Sequence, residues 1–218
     1  MSSRPDLRLA WCDIKAARHA VMNWHYSRAL PAGKLVKVGA WEDGAFVGVV
    51  MFGLGAGAST NGSRYGLAKS HDVAELVRVA LAPTHRSPTS RIVAIAIRML
   101  TRQSPSLRML VSFADTLQGH HGGIYQAGNW IYAGETEGDR VFIVRGRHMH
   151  PKSVHARGWV QSAEWLRRHI DPNAENRKLP GKHRYLYPLD DDMRERLAPL
   201  AKPYPKRASE AGHSPNPG

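Results

Sequence analysis

The order of strands and helices along the first 145 residues limits the folds that this chain can adopt. Short apolar strands and amphipathic helices follow one another as strand, helix, three strands, helix, strand, short helix and two strands. Within the run of three strands, Asp43-Gly44 is a hairpin signal, so two of them are expected to be antiparallel neighbours. The mixture predicts an α/β fold (α+β with a mixed sheet) that has both parallel and antiparallel neighbours.

The chain divides into three predicted regions: a domain at 1–145, a basic helical extension at 146–203 and a disordered tail at 204–218. Within the domain, residues 53–66 form a glycine-rich loop that we expect to cover the substrate. We predict strands at 7–13, 35–41, 46–52, 73–82, 107–114, 130–134 and 140–145, and helices at 15–24, 90–103, 122–127, 162–170 and 190–201.

The charge of the chain points to a polyanionic partner. Lys and Arg outnumber Asp and Glu by 31 to 18, which gives a net charge of +13, and more than half of it lies between residues 145 and 207. A field of that sign attracts nucleic acid, although a merely basic protein would show the same balance. We expect nucleic-acid contacts from Arg145, Arg147, Lys152, Arg157, Lys182 and Arg184.

Three further features narrow the class of protein. No apolar run reaches the roughly 18–20 residues of a membrane span, and the N-terminus lacks the apolar region of a secretory signal. The single cysteine, Cys12, excludes an internal disulfide and a cysteine metal cage. We therefore expect a soluble cytoplasmic protein that binds neither membrane nor metal.

The densest group of polar side chains follows the most apolar strand. Ser112 lies in this strand and Asp115 directly after it, where ligands bind in open α/β sheets. Tyr125, in the helix that comes next, is a candidate acid or hydrogen-bond donor, and His121 and Asn129 are candidate substrate contacts. A helix cap at Asp115 and a core aromatic at Tyr125 are the alternatives. The adjacent histidines at 120 and 121 point apart in a loop or strand, so we predict no metal site.

Two smaller groups complete the set. His25-Tyr26-Ser27 comes where a helix gives way to a loop, which suits substrate contacts as well as a histidine at a helix C-terminus. Arg78 is a charge inside an apolar strand, and either a structural ion pair or an anion-binding role would explain it.

Together these segments resemble the Mom family of phage DNA-modification proteins. The resemblance rests on His25-Tyr26-Ser27, Glu75-Leu76-Val77-Arg78, Ser112-Phe113-Ala114-Asp115 and the stretch from Gly119 to Trp130, with His183-Arg184-Tyr185 as an ending motif. It implies an acetyltransferase-like (GNAT) fold and a transferase that converts adenine in double-stranded phage DNA to N6-carbamoylmethyladenine, which protects the DNA from restriction. It also implies that activity depends on His25, Tyr26, Arg78, Ser112, Asp115 and Tyr125. Among these we expect Arg78 to contact the substrate, together with Ser27, His121 and Asn129.

The group donor stays open at this point. GNAT enzymes hold the pyrophosphate of acyl-CoA in a glycine-containing loop before a long helix, whereas this chain has no glycine from Thr84 to Arg91. Arg86 and Arg91, with the amides of the helix that follows, are the candidate contacts for a donor phosphate. Acyl-CoA and an aminoacyl-tRNA such as glycyl-tRNA are both possible donors, which makes tRNA a possible second partner.

Overall fold

The computed structural model describes residues 4–54 and 61–206. These residues form two compact units. The sheet unit comprises the described residues up to Ala114, then His121–Gly134 and the described residues from His183 onward. The inserted unit comprises Asp115–His120 and Glu135–Lys182. Residues 55–60 of the loop predicted to cover the substrate and residues 207–218 of the predicted tail lie outside the described residues.

The sheet unit is built on seven strands in the order β1-β2-β3-β4-β5-β10-β6. The strands from β1 to β4 are antiparallel to their neighbours, β5 is parallel to β4, and β10 is antiparallel to β5, so the predicted mixed sheet is confirmed. The strands are β1 (Leu7–Trp11), β2 (Leu35–Glu42), β3 (Ala45–Gly53), β4 (Val73–Leu81), β5 (Met109–Ala114), β6 (Ile131–Glu135) and β10 (His183–Pro188), and the helices are α1 (Ile14–Trp24), α2 (Thr89–Gln103), α3 (Gly123–Gln126) and α6 (Asp191–Leu197).

Both faces of this sheet are covered, because apolar side chains alternate along the central strands. In β3, Val49 and Met51 pack with α1, whereas Val50 and Phe52 belong to the cluster that contains the apolar side of α2. In β5, the odd-numbered positions pack with α6, and Leu110 and Ala114 face the α2 side. Strands buried on both faces read as continuous apolar runs, which is the pattern that predicted β5.

The inserted unit has its own small sheet and core. β7 (Arg140–Val144) lies between β8 (Arg147–Met149) and β9 (Glu175–Lys178), and both neighbours are antiparallel to it. The helices are α4 (Pro151–His155) and α5 (Ala163–His169). A cluster of five buried residues holds these elements together: Phe142, Val144, Val154, Leu166 and Ala174.

The structure divides the chain at points other than residue 145. The segment after that position is not one continuous basic extension, because β10 returns to the sheet unit and pairs with β5 from His183 to Pro188. In addition, β7 belongs to the second sheet and does not close the first one. The inserted unit is therefore a long connection between β6 and β10, two strands that lie side by side.

Among the described residues, no helix combines the length and the apolar character that crossing a bilayer requires.

Candidate active site

The candidate site lies where two parallel strands of the sheet unit separate. β4 and β5 pair only over Val73–Glu75, opposite Met109–Val111. A β-bulge leaves Val77 out of the pairing between β4 and β3, and a bulged strand bends at that point. Backbone groups of β4 beyond the paired residues must therefore find side chains or a ligand on the β5 side.

Ser112 and Tyr125 form a hydrogen-bonded pair beside this gap. The Ser112 hydroxyl is fully buried and lies 2.7 Å from the Leu76 carbonyl oxygen and 2.7 Å from the Tyr125 hydroxyl. A carbonyl can only accept, and a serine hydroxyl has one proton to donate. Ser112 therefore donates to Leu76, and Tyr125 donates to Ser112, so that both protons have defined positions.

The environment of Tyr125 keeps its phenol protonated. Burial, as the largest cause, raises the pKa of Tyr125 to about 12; Tyr26, Glu75 and Tyr185 contribute to the increase, and the bond to Ser112 opposes it. Near neutral pH the side chain is therefore a neutral hydroxyl, which can donate a proton or a hydrogen bond but cannot act as a base. The influence of Tyr26 and Glu75 also shows that both lie near the phenol.

Tyr185 is part of the site, and the sequence analysis did not assign it a role. Its ring lies 4.9 Å from that of Tyr125, and its buried hydroxyl donates to the His121 carbonyl oxygen at 2.5 Å. Gly122 (φ +80°) makes this contact possible, because a Cβ there would lie 2.3 Å from the Tyr185 ring. Tyr185 belongs to the ending motif, and its place in that motif is the sequence feature that could have identified it as a site residue.

The His25 segment forms a compact turn after α1. The Ser27 amide donates to His25 Nδ1 at 3.1 Å, and the Ser27 hydroxyl lies 2.8 Å from the same nitrogen. Because Nδ1 accepts, a neutral His25 carries its proton on Nε2. The His25 and Tyr26 rings are 4.4 Å apart, and Tyr26 is 49% exposed, so this turn presents an accessible aromatic side chain.

Arg78 lies in β4 just beyond the bulge and is half-buried. One terminal nitrogen donates to the Val77 carbonyl oxygen at 2.7 Å. Its Nε is buried and has no hydrogen-bond partner among the described residues. The guanidinium thus keeps an unused buried donor, and no salt bridge accounts for it within the described part of the chain, which favours the anion-binding alternative over the structural ion pair.

The remaining predicted residues have clear local contacts. Asp115 caps a 3₁₀ turn of the inserted unit, where one carboxylate oxygen accepts from the Leu117 amide at 3.1 Å. In the sheet unit, His121 is half-buried, whereas Asn129 is exposed and adopts a left-handed conformation (φ +56°) that asparagine tolerates. The cap that was the alternative for Asp115 is thus present, and this contact leaves its second carboxylate oxygen unused.

The loop before α2 already contains an internal anion. Glu42 at the end of β2 is only 4% exposed, and it accepts hydrogen bonds from the Arg86 amide at 2.8 Å and the Ser87 amide at 2.7 Å. Burial by itself raises the pKa of Glu42, but the neighbouring Ser87 hydroxyl, the two amides and the Arg86 charge lower it below its ordinary value. Glu42 is therefore an internal carboxylate that binds two amides of the loop before α2.

The predicted donor-phosphate residues fit this arrangement poorly. Arg86 forms a salt bridge with Asp43, and its amide is bound to Glu42. Arg91 is exposed in the first turn of α2 and has no salt bridge among the described residues. Two loop amides and one of the two arginines are therefore already engaged by carboxylates of this chain, whereas Arg91 is not.

The predicted nucleic-acid contacts fall into two groups. Five are exposed and lie in the inserted unit: Arg145, Arg147, Lys152, Arg157 and Lys182. The sixth, Arg184, lies on β10 of the sheet unit, is half-buried and donates to the Ala133 carbonyl oxygen at 3.1 Å. Three of the exposed arginines line one pocket of about 550 Å³. Within the described parts of the chain, no group of three or more His, Cys, Asp or Glu side chains is placed to hold a metal ion.

Comparison with known proteins identifies the family. The chain is 28% identical over 208 residues to the protein named methylcarbamoylase mom of Escherichia phage Mu. The alignment covers 92% of this chain and 84% of that protein. Among solved structures it is similar to a spermidine N-acetyltransferase variant of Vibrio cholerae (TM-score 0.48, 10% identity, 88% of this chain and 96% of that one). It is also similar to an N-acyl amino acid synthase from uncultured soil microbes (TM-score 0.47, 11% identity, 90% and 97%). A model of the Mom protein family matches residues 6–206, and the chain therefore belongs to that family.

Proposed function

We propose that this protein is a transferase that converts adenine in double-stranded DNA to N6-carbamoylmethyladenine. The observation that carries the proposal is the hydrogen-bonded Ser112–Tyr125 pair at the gap between β4 and β5. It occurs in a chain whose phage Mu relative is named a methylcarbamoylase. To donate to a leaving group or to a developing oxyanion, the protonated Tyr125 hydroxyl turns away from the Ser112 oxygen, which holds its proton in the resting site.

The other site residues have complementary roles in this proposal. Asp115 takes a proton from the adenine N6 amine or orients it, and His25 with Tyr26 shapes the pocket for the base. Arg78 directs its unused Nε–H to an anionic group of the substrate. Further substrate contacts come from Ser27, His121 and Asn129.

The acceptor is duplex DNA, and the target adenine must leave the base stack to reach any enclosed site. The exposed basic residues of the inserted unit bind the phosphates, which makes affinity salt-dependent. Modification of this kind would protect phage DNA from restriction in the cytoplasm of the bacterial host.

The donor differs from that of an acyl-CoA enzyme that binds pyrophosphate before α2, because Glu42 engages the amides there. An aminoacyl-tRNA is the better candidate on this ground, since a glycyl unit has the atoms of a carbamoylmethyl group. Direct acyl transfer would bond N6 to the carbonyl carbon and give the isomeric glycyl amide, so a rearrangement that bonds N6 to the methylene carbon must follow. The same observation disfavours a small-molecule N-acetyltransferase that uses CoA.

The direct test is mass spectrometry of nucleosides from plasmid DNA of cells that express the protein. We expect a new deoxyadenosine adduct with the wild type and none with Asp115→Asn, whose DNA affinity should be nearly unchanged. Asp139→Asn makes the same chemical change at an exposed position and should remain active. Unmodified DNA with the wild type would favour a non-catalytic DNA-binding module or a transferase that acts on a different acceptor.

A further inference from the structure

The inserted unit contains a pocket that the proposed chemistry does not use. It has a volume of about 550 Å³ and lies beside the β7–β8 hairpin and α4. Its basic lining comes from Arg145, Arg147 and Arg157, and its apolar lining includes Met149 and Trp159. No carboxylate is among the side chains that line it.

The hairpin that carries two of these arginines is held in place. Arg145 (φ +51°) and Gly146 (φ +70°) form its two-residue turn, in which an arginine is an uncommon first residue. The Arg145 amide donates to Asp171 at 2.5 Å, and Asp171 also accepts from the Asn173 amide at 3.0 Å. The side chain at this strained position therefore starts from a fixed backbone.

The third arginine is positioned by two contacts. One terminal nitrogen of Arg157 donates to the Ser153 carbonyl oxygen at 3.1 Å, and the guanidinium carbon lies 5.8 Å from the centre of the Trp159 ring. In the described part of the chain, neither Arg147 nor Arg157 forms a salt bridge with a carboxylate. The pocket therefore presents unneutralised cations together with a planar guanidinium–indole surface.

These two kinds of surface match the two halves of a nucleotide. Guanidinium groups bind phosphate oxygens, and arginine and aromatic planes stack against unpaired bases. The stacked bases of an intact duplex cannot enter a pocket. A duplex would therefore contact the arginines through its phosphates and leave the apolar surface of the pocket uncovered. A nucleotide that has left the base stack covers both, and the pocket volume is in the range of small-ligand sites.

We propose that this pocket binds one unpaired nucleotide of a DNA strand, with its phosphate against Arg145 and Arg147 and its base against Arg157. The inference rests on the proposed function for the identity of the polyanion, since removal of an adenine from the stack leaves part of the duplex unpaired. The inserted unit then recognises locally opened DNA.

The test is fluorescence anisotropy with the full-length protein and a labelled 12-nucleotide DNA, single-stranded or paired, and with the same sequence as RNA. We expect Arg147→Ala and Arg157→Ala to weaken single-strand binding about tenfold, because phosphate and stacking contacts are lost, and to weaken duplex binding less. Arg168→Ala removes an exposed arginine of the same unit outside the pocket and should bind like the wild type.

A second measurement separates stacking from charge. A single-stranded probe that contains 2-aminopurine should change its fluorescence on binding to the wild type, because the base leaves its stacked neighbours. Arg157→Lys, which keeps the charge but loses the planar group, should reduce this change. Equal losses for single strand and duplex, equal losses in Arg168→Ala, or tighter binding of RNA would each overturn the proposal. Binding is measured without reaction, so a missing adenine adduct would reject the proposed function and leave this result unaffected.

Discussion

Replacement of Glu42 by glutamine tests whether this side chain serves as an internal anion. The change keeps the size of the side chain and one acceptor oxygen, but it places the new NH2 group against a backbone N–H, which then has no acceptor. An unsatisfied buried donor costs about 1–3 kcal/mol. In a chain of this length we expect the melting temperature to fall by about 4–8 °C for a loss of about 2 kcal/mol.

The assay is thermal unfolding followed by circular dichroism near pH 7. Glu195→Gln makes the same change on an exposed face of α6 and should melt like the wild type. The reasoning is refuted if Glu42→Gln and Glu195→Gln melt together.

Two further experiments test directly whether Glu42 serves as the anion for these amides. In Glu42→Ala the Arg86 and Ser87 amides lose their partner, so inorganic phosphate should raise the melting temperature of this variant more than that of the wild type. The pKa of Glu42 is lowered in the folded protein, so its stabilisation is present above the unfolded-state pKa of about 4.3. This stabilisation is lost as the pH falls through the lower pKa of Glu42 in the folded protein. Glu42→Gln should lack this part of the pH dependence of stability.

Three other predictions concern the two units. Gly122→Ala should lower the free energy of unfolding by about 3 kcal/mol, because the new Cβ would clash with Tyr185 and φ is positive. Gly119→Ala also has a positive φ but open space around it, so it should lower this free energy by about 1 kcal/mol; thermal melts of both variants check the difference. Tyr125→Phe should reduce adduct formation about 100-fold or more with DNA affinity unchanged, and wild-type activity should not decline below about pH 10 through ionisation of this phenol. Hydrogen bonds from two backbone amides lower the pKa of Asp171 in the folded protein. Thermal melts of the wild type should therefore show that stability is lost as the pH falls through this lowered pKa, and Asp171→Asn should lack this pH dependence.

Local sequence patterns predicted most strands and helices of the sheet unit, because alternation and helical periodicity report which faces are buried. The predicted helix at 90–103 differs from α2 by one residue, and the strand at 73–82 differs from β4 by one. β10 was missed, because a strand whose partners lie about 70 residues away carries no local sign of its pairing. The predicted division at residue 145 followed from that omission.

The candidate site was predicted unevenly for the same reason. Ser112 and Tyr125 lie close in sequence, in two stretches that resemble the Mom family, and a hydrogen bond joins them in the structure. Glu42 was not singled out, since an acidic residue before an Asp-Gly turn looks like an ordinary hairpin end. Only the tertiary structure places it on the Arg86 and Ser87 amides, and this contact bears on the choice of donor.

The two ends of the longer segment of the inserted unit, Glu135–Lys182, lie close together. The Thr136 amide donates to the Lys182 carbonyl oxygen at 2.9 Å, and the Lys182 amide donates to the Thr136 hydroxyl oxygen at 3.0 Å. A segment whose two ends meet in this way behaves as a cassette, which can lengthen, shorten or be exchanged while the strands on either side keep their register. Under the proposed function, exchange of this segment between relatives would change how DNA is bound while the Ser112–Tyr125 pair stays in place.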